Sequence, residues 1–173
     1  MPIGFIVRYA LSAALFGEVA AGLWLLGRLI LRRGLTRQDG LRAVGVFYMA
    51  ALIQITALRL GLTPRRWLSG EVHFRPVETS MAEWQLSHGF FWYHLLGNLL
   101  WFVPLGWLLA RTMRRPAAWK ALLTGAGLSA GIEATQFLLG TGVCDIDDVL
   151  INALGALLGY GLYRLWRAVM RKT

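Results

Sequence analysis

Apolar runs long enough to cross a ~30 Å hydrocarbon core as helix, which takes about 20 residues, recur along this 173-residue chain. They do not alternate with period two, as the strands of a membrane barrel would. The chain therefore reads as an all-α membrane protein of about five transmembrane helices, over residues 5–31, 41–60, 89–110, 117–139 and 149–170. At 57% hydrophobic and 16% charged residues, it is too apolar and too poor in charge for an ordinary soluble domain. The first run is longer than the apolar core of a signal peptide, and Arg32 and Arg33 follow it where a cleavage site would stand, so it is read as a span.

A net charge of +9 would suggest a nucleic-acid partner in a soluble protein. Here the basic residues sit at the ends of the apolar runs, and no nucleic acid is expected. Arg28, Arg32, Arg33, Arg37 and Arg42 flank the first connection, Arg111, Arg114, Arg115 and Lys120 the third, and Arg164, Arg167, Arg171 and Lys172 the tail. Loops rich in Lys and Arg stay in the cytoplasm, which places the N-terminus outside and the C-terminus inside an integral cytoplasmic (inner) membrane, in a multi-pass arrangement. Six of the nine acidic residues, Glu71, Glu78, Glu83, Asp145, Asp147 and Asp148, fall in the two outer connections. Carboxylate chemistry is thus expected on the extracytoplasmic side. The lone Cys144 cannot form an internal disulfide and says little about compartment.

The chain divides into two N-terminal helices (1–62), an outer loop (63–88) and a three-helix core (89–173). The loop carries Pro64, Trp67, Phe74, Pro76 and Trp84, a composition suited to the membrane interface or to a lid. No internal repeat is visible, which gives alternating-access transport no support.

Polar residues inside a membrane helix are costly and mark sites or helix-to-helix locks. At ~1.5 Å rise per residue, His94 and Asn98 lie about 7 and 13 Å below the outer end of their helix, and Glu133 and Gln136 about 9 and 5 Å below theirs. Asn152 lies about one turn inside the last helix. Glu133 and Gln136 are spaced i,i+3, whereas His94/Asn98 and Asp148/Asn152 are spaced i,i+4, so each pair shares a helical face. Three helices could aim these pairs into one pocket. Glu133, Asp145, Asp148 and His94 are the candidate catalytic groups; Asn98, Gln136, Asn152 and Arg75 are the candidate ligand-binding groups. Asp145 and Asp148 could hold a divalent cation, Mg²⁺ or Ca²⁺, through oxygen; equally, the acidic cluster could serve only the amino-terminal dipole of the last helix. Glu18 lies deeper, with Gln54 as a candidate partner. Gly127/Gly131 and Gly155/Gly159 are spaced for close helix packing, and Pro104 is placed to kink its helix.

Taken together, Asn98-x3-Phe102-x-Pro104-x-Gly106 and Glu133-x2-Gln136-x8-Asp145-Ile-Asp147-Asp148-x3-Asn152-x2-Gly155-x3-Gly159 resemble the VanZ family. The likeness runs from about residue 98 to 160, with a weaker echo around Arg75 and Pro76. Members of the family often carry an arginine shortly before the first aspartate, where this chain has Gly142; the ion pair is then absent or supplied by another arginine, such as Arg75 or Arg59. The resemblance implies a small integral membrane protein of the cell envelope, associated with glycopeptide (teicoplanin) resistance.

Three functions follow as expectations. The first is binding or modification of an amphiphile at the outer leaflet, either a prenyl-phosphate-linked wall or polysaccharide precursor or a lipoglycopeptide, with Arg65, Arg66 and Arg75 available to phosphate. The second is an intramembrane enzyme with Glu133 or His94 as general base and a cation at Asp145 and Asp148. The third is a structural or partner-recruiting membrane subunit.

Overall fold

The computed structural model describes residues 3–31, 34–59 and 71–171. Pro64, Arg65, Arg66 and Trp67, and on the basic side Arg32, Arg33 and Lys172, lie outside the described residues. The order of elements is α1 (Ile3–Ile30), α2 (Arg37–Ile53) running into a π-helical turn (Gln54–Leu58), β1 (Val72–His73), α3 (Glu78–Leu86), α4 (His88–Thr112), α5 (Ala118–Leu139), β2 (Cys144–Asp145) and α6 (Ile146–Met170).

The five long helices fall where the apolar runs predict them. Four are long and apolar enough to cross a membrane, over Val7–Ile30, Gln38–Leu58, His88–Thr112 and Ile146–Met170. α5 has the length, but its glycines, its Ser/Thr residues and its Glu133/Gln136 pair keep it out of that set. α1 shows why a bilayer is needed: Leu11, Leu15, Val19, Leu23 and Leu26 are all exposed along it. An apolar face of that extent is stable only against lipid or a partner.

Two packing units build the bundle. In the first, α4 and α6 meet backbone to backbone: a Cβ on Gly155 would stand 2.2 Å from the Leu99 carbonyl oxygen, and one on Gly159 1.9 Å from that of Val103. Gly106 returns the contact from α4, a Cβ there meeting the Ala156 oxygen at 1.8 Å. α5 closes on α6 through Gly125, against Ala153 and Ala156. The expected Gly127/Gly131 pair plays no such part, since a Cβ at either position meets nothing within 4 Å. α4 continues unbroken through Pro104.

The second unit is the α1/α2 hairpin, latched at its turn by two arginines on the buried Asp39. Asp39 takes Arg28 at 3.0 Å and Arg42 at 3.1 Å, together with the amide and hydroxyl of Thr36. Glu18 lies on the exposed face of α1, whereas Gln54 is buried and donates to Ser12 Oγ at 2.7 Å. The hairpin joins the first unit through Tyr48, whose hydroxyl donates to the Trp101 carbonyl at 2.7 Å. Leu52, Ala57, Phe102, Leu105, Ile132 and Ala156 form the shared core.

The stretch expected only as an outer loop contains α3 and β1, which pairs in parallel with β2 beyond α5, Val72 with Cys144 and His73 with Asp145. α6 starts at Ile146, earlier than the apolar run suggests, because Asp145 caps it.

Candidate functional site

The site is at the bundle end formed by the C-termini of α2 and α5 and the N-termini of α4 and α6. It begins with the entry to α6. Asp145 Oδ1 accepts the Asp147 amide at 2.9 Å, while the Asp145 amide itself donates to Glu133 Oε2 at 2.9 Å. Glu133 is 2% exposed, so this α5 carboxylate holds the start of α6 from below. Asp147 points the other way. Its carboxylate accepts from the Val77 and Ser80 amides and from Ser80 Oγ, and so caps α3. Val77 has φ 69°, a left-handed conformation a β-branched residue adopts only under constraint; Asp147 supplies that constraint.

On the more accessible side, four side chains form one chain of hydrogen bonds. His94 Nδ1 lies 2.8 Å from Glu83 Oε1 and its Nε2 3.2 Å from Asp148 Oδ1; Asn98 donates to that same oxygen at 2.6 Å. The i,i+4 spacing of His94 and Asn98 thus converges on a single carboxylate oxygen from α6. His94 keeps 32% of its side chain exposed, and Glu83 and Asp148 14% each. An apolar slot of about 370 Å³ lies under α3, walled by Met81, Trp84, Phe91, Leu95 and Ile151 with Asp147 and Ser80 also lining it; Trp84, Leu95 and Asp147 are the sequence neighbours of Glu83, His94 and Asp148. Trp84 stacks on His88 at 4.0 Å and meets Phe91 edge-on at 5.3 Å.

The remaining candidates are elsewhere. Gln136 donates to the Thr56 carbonyl at 3.0 Å, and Thr141 Oγ1 to that of Ala57 at 2.9 Å, satisfying carbonyls of the π turn. Asn152 turns to α5, donating to Ser129 Oγ at 2.8 Å, with its buried Oδ1 lacking a hydrogen-bond partner among the described residues. Asp148 and Asn152 therefore serve different interfaces despite their shared spacing. Arg75 is 85% exposed and lies 3.8 Å from Glu78, away from the polar cluster. Of Arg59 and Arg75, it is Arg59 that comes near Gly142: a Cβ there would stand 3.3 Å from its Nη1 and 2.6 Å from Gln136 Oε1, and Arg59 donates to the Thr141 carbonyl at 2.8 Å.

The fit to a divalent cation is poor. Such ions take about six to eight oxygens. Asp145 is committed to a backbone amide on one oxygen and faces His73 at 3.8 Å with the other, while Asp148 Oδ1 is shared by Asn98 and His94. Among the described residues no group of three or more His, Cys, Asp and Glu side chains is placed to hold a metal, so the donor set that such an ion needs is not assembled there.

Glu83, Asp147 and Ser80 join the candidate site without a signal in the sequence that singles them out. Glu83 and His94 are separated by the break at Ser87, across which helical spacing carries no information. Cys144, between the two carboxylates Glu133 and Asp145, has its thiol pushed up by burial first and by those two charges next.

An all-α bundle with four membrane-length apolar helices and a cluster of polar side chains at one end defines a multi-pass membrane protein. The chain belongs to the VanZ/LLP1 family, whose model matches residues 45–167. The match takes in most of α2 as well as α4 to α6, and begins well before the motifs at residues 98–160. No curated protein and no solved structure matches the chain.

Proposed function

We propose that this protein binds the polar head of an amphiphilic cell-envelope molecule at the Glu83–His94–Asp148–Asn98 chain, with an apolar tail laid in the slot under α3. In this reading all five long helices span the cytoplasmic membrane, with the N-terminus outside and the C-terminus inside, as the basic ends of the helices favour. The described part of the outer stretch, residues 71–88, then lies on the extracytoplasmic side of the core formed by α4, α5 and α6.

One observation carries the reading. Three part-exposed polar residues, Glu83, His94 and Asp148, each stand next in sequence to a residue that lines the apolar slot, Trp84, Leu95 and Asp147. Carboxylates and an amide beside aromatic rings suit a head rich in hydroxyl or amine donors, such as the sugars of a lipid-linked wall precursor or of a lipoglycopeptide like teicoplanin. Binding is favoured over general-base catalysis because both ring nitrogens of His94 are already engaged by carboxylates, those of Glu83 and Asp148.

The test is native mass spectrometry of the full chain in nanodiscs doped with a prenyl-diphosphate-linked sugar, or incubated with teicoplanin. The wild type is expected to retain one of them, and Glu83→Gln/Asp148→Asn, with matched thermal stability, to lose it. Equal retention by both forms would overturn the proposal. Expression in a teicoplanin-susceptible host, scored by inhibitory concentration, separates the drug from the precursor as the relevant ligand.

A further inference from the structure

A second cavity lies at the opposite, basic end, where α1, α2 and α4 diverge. It measures about 1020 Å³ and is walled by Phe16 of α1, Met49 and Ile53 of α2, and Leu105 and Leu109 of α4. From Gln38 to Ile53 its α2 wall is about 22 Å long at the helical rise. Such a volume is at the upper end of the range for sites that enclose a small-molecule ligand, about 300–1,000 Å³.

Its mouth is cationic. Arg42 and Arg111 both line it, with Thr112 and Gln38 between the charges and the apolar walls. Arg42 gives Nη1 to Asp39 and still exposes 56% of its side chain; Arg111 is exposed in the last turn of α4. Among the described residues no carboxylate lines the cavity, and Asp39, next to Gln38 in the chain, is already shared by Arg28 and Arg42. A long apolar wall ending in an uncompensated positive rim is complementary to one kind of molecule, a lipid with an anionic head. Basic pockets between membrane helices hold such heads, and guanidinium groups match phosphate oxygens in pairs.

We infer that this cavity is a site for an anionic glycerophospholipid of the adjoining leaflet, with an acyl chain along α2 and α4 and the phosphate between Arg42 and Arg111. The inference is independent of the ligand at the acidic end.

Native mass spectrometry of the full chain from nanodiscs of equal phosphatidylglycerol and phosphatidylcholine tests it. Wild type is expected to leave the bilayer with phosphatidylglycerol held in preference to phosphatidylcholine. Arg111→Gln should cut that preference about fivefold, the loss expected for one cation at a membrane surface. Gly45→Phe offers a second handle: Gly45 lines the cavity, a Cβ there meets nothing within 4 Å, and the ring would occupy the lipid's place. It should remove the tightly held lipid with no loss of thermal stability, while Asp148→Asn at the other end leaves the lipid in place. No preference in the wild type, or full retention in both Arg111→Gln and Gly45→Phe, would overturn the site. So would a Gly45→Phe variant that loses self-association while keeping its lipid, since a second copy would then be the occupant.

Discussion

The Asn98 amide reaches across 2.6 Å to Asp148 Oδ1, joining α4 and α6 where their backbones are already in contact. Asn98→Leu keeps the volume and removes the donor, leaving Asp148 with His94 alone on that oxygen. The expected cost is about 2 kcal/mol, the range for a hydrogen bond to a charged group. A lowered thermal midpoint in detergent checks it; an unchanged midpoint would mean that the bond contributes nothing to stability.

The glycines of this interface separate into two groups that one measurement distinguishes. Gly155→Ala and Gly159→Ala drive a methyl into carbonyl oxygens of α4 and should each destabilise the fold severely or prevent its recovery from the membrane. Gly127→Ala and Gly131→Ala enter open space and should be neutral or stabilising by up to about 1 kcal/mol, the difference in helix propensity. Yields and thermal midpoints of the four variants are the readout, and equal effects across all four would contradict the close α4–α6 approach.

Cys144 should be a slow thiol. Only the thiolate reacts, and burial with two neighbouring carboxylates keeps it protonated to higher pH than usual. Maleimide labelling near neutral pH is therefore expected to lag behind a free thiol, to rise only as pH increases, and to quicken in Glu133→Gln, which removes one of the two charges. Labelling at the free-thiol rate in folded protein would rule this environment out.

Arg59 and Gly142 form a further testable pair. Arg59→Ala removes the donor to the Thr141 carbonyl and should cost about 1–3 kcal/mol. Gly142→Ala brings a methyl to 2.6 Å from Gln136 Oε1 and 3.3 Å from Arg59 Nη1, and should cost less in the Arg59→Ala background, where one of those neighbours is gone. Thermal midpoints of the two single variants and the double variant decide it; strictly additive losses would mean that the two positions are not in contact.

Much of this molecule is legible from spacing and much is not, for physical reasons. The long helices announce themselves through apolar runs, and the convergence of His94 and Asn98 follows from i,i+4 geometry on α4. The same spacing misleads for Asp148 and Asn152, because one turn of α6 is enough to face α4 at one residue and α5 at the next. The short β1/β2 ladder and α3 leave no periodic trace, being too brief for a pattern, and with them Glu83 and Asp147 stay hidden. Gly125, not the GxxxG pair beside it, packs against α6, since which face of a small-residue helix is covered depends on its neighbour.

The approach of Arg59 to Gly142 ties two distant parts of the chain through a backbone carbonyl. The guanidinium that follows the π turn donates to Thr141, so the end of the α2 hairpin arm and the loop that follows α5 are held to each other across positions 59 and 142, 83 apart in sequence. The segment that leads into α6 is thereby fastened to the hairpin as well as to α5.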